Sequence, residues 1–126
     1  MQLDPVAERE MLTATRRGPS SRASRPWLQL LSAVMELAGR QVELVRHAER
    51  PWASATFTGS RHTIALAFAG SEGVAAGEAF VTALPDHEFT LARQIVADAA
   101  IVEVDQQLLP EQRMTVEIEL LLLDDS

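Results

Sequence analysis

Arg113-Met114-Thr115-Val116-Glu117-Ile118-Glu119-Leu120-Leu121-Leu122-Leu123 is the stretch on which the fold turns. Met114, Val116, Ile118, Leu120 and Leu122 recur at every second position, with Thr115, Glu117 and Glu119 between them. A period of two is the signature of a strand with one face buried. Leu121 and Leu123 break the alternation by continuing the polar side as apolar residues. That end is expected to be covered on both faces, by an N-terminal helix or by another subunit.

Outward from this strand, a second long strand is read over about 93–105, joined to it through Leu108, Leu109 and Pro110. Before it, Ser71 offers a helix cap, Val74, Gly77, Glu78, Val81 and Leu84 follow at helical spacing, and Pro85 ends the helix. Residues 41–69 return to a period of two. Val42 and Leu44 alternate with Glu43 and Val45, Pro51 interrupts, Ala53, Ala55 and Phe57 alternate with polar neighbours, and Ile64, Leu66 and Phe68 follow a turn at Gly59-Ser60. This reads as a three-stranded meander.

Upstream, Trp27, Leu30, Leu31, Val34 and Leu37/Ala38 mark one buried helical face ended by Gly39. Residues 17–26, rich in arginine, serine, glycine and proline, read as a linker, and Asp4-Pro5 as the start of a helix to about Thr15. The order helix, helix, three strands, helix, two strands predicts an α+β fold. Its core is an antiparallel sheet of about five strands with helices packed mainly on one face. An arm over 1–25 precedes a single domain over 26–126.

The chain has 126 residues, enough for one core, with 11 arginines, no lysine, no cysteine and a net charge of −7. The missing residue types exclude disulfides, thiolate chemistry, Schiff bases and a phosphate-loop lysine. No stretch approaches the roughly 20 apolar residues of a membrane span, and the N-terminus lacks the order of a secretory signal. A cytoplasmic protein is therefore expected. Charge is unevenly spread: up to Arg50 there are eight arginines against six carboxylates, and after it three against twelve. Arg16, Arg17, Arg22 and Arg25 form a basic arm. With no aromatic residue interleaved and an acidic body behind it, the arm is not expected to bind nucleic acid.

Candidate chemistry is sparse. His47, His62 and His87 are 15 and 25 residues apart, which matches no local metal motif, so neither a metal nor another cofactor is expected from spacing. His47 and His62 fall near strand ends and would meet only if those strands were neighbours. Asp98, flanked by Val96, Ala97, Ala99 and Ala100, is the other candidate: a carboxylate on an apolar strand is functional, paired, or turned to solvent by a bulge. No nucleophile elbow or phosphate-binding loop is present. The first functional expectation is thus a non-catalytic interaction module that self-associates, with a homo-oligomer, favouring a dimer, or another protein as partner. Its interface would use Leu121, Leu123 and Trp52. The alternative is a small-molecule-binding protein or enzyme with a pocket between sheet and helices, using Asp98 and the histidines.

Overall fold

The computed structural model describes residues 25–124, with side chains from Trp27 onward. The helix expected over 4–15 and the arm residues Arg16, Arg17 and Arg22 lie outside them. The described residues divide into two units between Leu31 and Ser32. The element order is α1 (Arg25–Ala38), β1 (Val42–Ala53), β2 (Thr58–Ala69), α2 (Gly70–Ala83), a 3-10 turn (Leu84–Asp86), β3 (Gln94–Gln107) and β4 (Arg113–Asp124). The four strands form one antiparallel sheet in the order β1-β2-β4-β3. The mixed α+β class stands, with four strands in place of five.

The strand count changes because Pro51 does not break its strand. β1 lies at the sheet edge, where a residue without an N–H is tolerated. The chain turns at 54–57 instead of Gly59-Ser60. There the Ser54 N–H donates to the Phe57 carbonyl at 2.8 Å, and the Ser54 hydroxyl accepts from the Phe57 and Thr56 N–H groups at 3.1 and 3.3 Å. Phe57, expected inward, is therefore half exposed at the turn, while Phe68 is fully buried. Gly59 and Ser60 lie inside β2.

α1 opens with Arg25 and Pro26, so the reading of the basic stretch as linker gives way to helix at its last two residues. Pro26 is tolerated there because the first helical N–H groups have no partner within the helix. Leu30, Val34 and Ala38 are its buried positions, and Gly39, at φ +99°, ends it with its N–H donating to the Met35 carbonyl.

β2 and β4 carry the core. Their pairs Phe68/Met114, Leu66/Val116, Ile64/Ile118 and His62/Leu120 are all buried on one face of the sheet. α2 packs on this face through Gly73, Gly77 and Phe80, which are buried, while Glu78 is exposed. A Cβ on Gly77 would stand 2.7 Å from Met114 Sδ and 3.0 Å from the Phe68 ring, so the missing side chain is what lets the helix lie this close. No side chain caps α2; Ser71 lies one residue inside it, and the strand-to-helix corner is made by Gly70, at φ +79°, whose N–H donates to the Gln112 carbonyl.

The β2–β4 ladder is regular, whereas both edge strands carry register shifts. One extra residue, Val45, falls in β1, and two, Ala97 and Val102, in β3. Each is a bulge that changes which side of the strand the following side chains face. Leu44 pairs with Leu66 and so shares the buried face; past Val45, it is the odd-numbered His47 and Glu49 that do so, opposite Ile64 and His62.

Candidate metal centre

The hairpin of β1 and β2 brings together His47, Glu49 and His62 on the core side of the sheet. Glu49 pairs directly with His62, and His47 lies two residues along on the same face. His47 Nε2 is 2.9 Å from His62 Nδ1, and the two rings stack with centroids 5.2 Å apart and planes at 17°. One ligand atom from each of the three residues lies within 4.8 Å of the others. On the far side of the His62 ring, Nε2 is 2.8 Å from the Ser60 hydroxyl, two residues earlier on the same strand face. His62 is buried, His47 half-buried and Glu49 exposed at the edge strand, so the cluster runs from the core to the surface.

Burial sets the protonation. It lowers the His47 imidazole to about 3, with the neighbouring His62 adding to the effect, and lowers His62 to about 4. Both rings are neutral at pH 7 and present lone pairs, the form that ligates metals. The protein mass around the Glu49 stem raises its carboxyl, although its exposed edge position keeps it in contact with water. The Ser60 hydroxyl holds His62 Nε2 in the manner of outer-shell partners, which fix the orientation of a ligating ring.

The geometry is close to what one ion needs. Bonds of about 2.1 Å at a tetrahedral angle place two ligand nitrogens about 3.4 Å apart. The 2.9 Å between the imidazoles would have to open by about half an ångström, a small rotation of rings on an edge hairpin.

The other sequence candidates disperse. Asp98 follows the β3 bulge at Ala97 and is exposed on the opposite face of the sheet. His87 is exposed after the 3-10 turn, edge-on to Phe89 with centroids 4.5 Å apart. Leu121, Leu123 and Trp52 do share a face, the one opposite the metal cluster: Trp52 pairs with Gly59, and Gly59 with Leu123, while Leu121 lies one row along. All three are half-buried. Arg25 supplies the first backbone position of α1.

Glu49 and Ser60 are absent from the sequence candidates. The signal for Glu49 was the spacing His47-x-Glu49, which puts both side chains on one face of a strand. His62 joins them once the turn is placed at 54–57, because antiparallel partners in this hairpin have residue numbers adding to a constant. The spacing argument against a metal does not reach such a site, whose ligands are assembled by cross-strand pairing. No family model, curated protein or solved structure matches this chain.

Proposed function

We propose that this chain binds a divalent transition-metal ion of the zinc type through His47 Nε2, His62 Nδ1 and the Glu49 carboxylate. The observation that carries this reading is the convergence of two neutral imidazoles and a carboxylate within 4.8 Å. Two imidazoles and one carboxylate suit zinc and its neighbours better than magnesium or calcium, which take oxygen ligands. Three protein ligands leave one position open, as in zinc sites that bind and polarise a small molecule. Glu49 lies at the accessible end, so that position would face solvent. This is the ligand-binding alternative raised by the sequence, with Glu49 taking the acidic role given there to Asp98.

The test is calorimetric titration of chelator-treated protein with Zn²⁺, checked by elemental analysis after dialysis. One equivalent per chain is expected, with loss of uptake in His47→Ala and in Glu49→Gln, each checked for native circular dichroism. Absence of saturable uptake, or uptake unchanged in both variants, would overturn the reading. Self-association, the function read first from the sequence, rests on other residues and is compatible with metal binding.

A further inference from the structure

The sheet face opposite the metal cluster carries four rows that cross all four strands, and a fifth, Glu43-Ala67-Thr115-Asp105, lies beyond them. In the order β1, β2, β4, β3 the four are Trp52-Gly59-Leu123-Ile95, Arg50-Arg61-Leu121-Asp98, Ala48-Thr63-Glu119-Ala100 and Arg46-Ala65-Glu117-Glu103. The two bulges of β3 keep Ile95, Asp98, Ala100 and Glu103 on this face. Charge is split across the first four rows, where every ionisable residue contributed by β1 and β2 is an arginine and every one from β4 and β3 is an acid; the fifth row has an acid on both edge strands, Glu43 and Asp105. Two pairs are satisfied within the chain, Arg46 with Glu117 at 2.7 Å, spanning Ala65, and Arg61 with Glu119 at 3.4 Å. Arg50, Asp98 and Glu103 are exposed. One corner is apolar, formed by Trp52, Leu121, Leu123 and Ile95, with Ile95 half exposed.

We infer that this face binds a second copy of the same chain, about a two-fold axis that lies in the interface, parallel to the strands and between β2 and β4. The inference does not depend on metal binding. Such an axis lays β1 of one copy over β3 of the other while keeping each row against itself. Over the first four rows Arg50 then meets the second copy's Asp98, and Arg46 its Glu103, while at the far rim the fifth row sets Glu43 against Asp105. An axis across the strands would set arginine on arginine, and the charge pattern rejects it. In the first row Trp52 faces Ile95, and Leu123 faces Gly59. Gly59 presents no side chain to that leucine, and none can be added, since a Cβ there would lie 2.0 Å from the Leu122 carbonyl oxygen. Aligned packing of two sheets through their flat faces is a standard geometry. At usual strand and residue spacings the four rows span about 500 Å² in plan, before side-chain relief is counted. That approaches the roughly 800 Å² per partner of an ordinary stable interface. The apolar corner supplies the desolvated anchor and the charges fix the register.

The experiment is sedimentation equilibrium on the full chain, 13.8 kDa, over a concentration series up to about 0.5 mM, the upper range for small interfaces. A dimer is expected for the native chain. Asp98→Arg is expected to weaken it at least tenfold, Leu123→Glu to dissolve it, and the double change Arg50→Asp/Asp98→Arg to recover most of what Asp98→Arg loses. Asp98 and Arg50 are exposed, so these variants keep the monomer fold, which circular dichroism verifies. A monomeric native chain would overturn the inference. A dimer indifferent to both Asp98→Arg and Leu123→Glu would also do so, as would failure of the double change to recover association.

Discussion

Removing metal and lowering pH from 7 to 5 should destabilise this protein through His47 and His62. Both folded-state values, about 3 and about 4, lie far below the 6.5 of a histidine in an unfolded chain. The unfolded chain therefore takes up about 1.5 protons on these two residues in this interval that the folded protein refuses. A depressed folded value means stability that is fully present above pH 6.5 and lost as pH falls towards the folded values. Integrating the linkage from pH 7 to 5 gives about 2 kcal/mol for each histidine, or about 4 kcal/mol for the pair. Glu49 acts in the opposite sense, since burial raises its folded value and makes the folded state the better proton acceptor. A loss of about 4 kcal/mol is a large share of the 5–15 kcal/mol that holds a small domain together. The assay is urea unfolding of chelator-treated protein at pH 7, 6 and 5, followed by tryptophan fluorescence, beside a His47→Gln/His62→Gln variant. The native chain should lose stability across the interval and the variant should lose little. Equal pH dependence in the two, or none in the native chain, would refute the reasoning.

Other perturbations have expected outcomes that denaturant unfolding checks. Gly77→Val should cost about 1–3 kcal/mol by forcing α2 away from Phe68 and Met114, and the flexible Met114 should limit the damage. Gly59→Ala should cost more, because its Cβ meets the Leu122 backbone, which has no rotamer to change; a neutral result would contradict the described register. A double-mutant cycle on Arg46 and Glu117 should give a coupling below about 1 kcal/mol, since the arginine side chain is 56% exposed.

β4 was legible in the sequence because its two faces differ in chemistry: Met114, Val116, Ile118, Leu120 and Leu122 are all buried. The stripe Leu30, Val34 and Ala38 was legible for the same reason. α2 was harder, because its closest approach to the sheet is made by Gly73 and Gly77, which carry no hydrophobic signal. The meander was misread at Pro51, since whether a proline breaks a strand depends on whether that strand is an edge, and strand order is not a local property. The metal cluster was hidden by the same error. With a break at Pro51, His47, Glu49 and His62 have no fixed cross-strand register. Leu121 and Leu123 announced themselves by breaking alternation, whereas the row that joins them to Trp52 and Ile95 exists only in the folded sheet.

The bulges lie on β1 and β3, the two strands with an open edge, and none interrupts β2 against β4. Val45, Ala97 and Val102 are thus surplus to the ladder. Removing Val45 would leave every remaining side chain on its present face and make the β1 pairing regular, whereas β3 would need both Ala97 and Val102 removed. Such a deletion in the middle of a strand should fold and keep its sites. What would change is the rim: a long edge with evenly spaced donors and acceptors is a template on which another chain can add a strand, the first step towards a fibril. The irregular residues thus lie where an added strand would have to pair, and deletion of Val45 is expected to make the β1 edge the better template for strand addition.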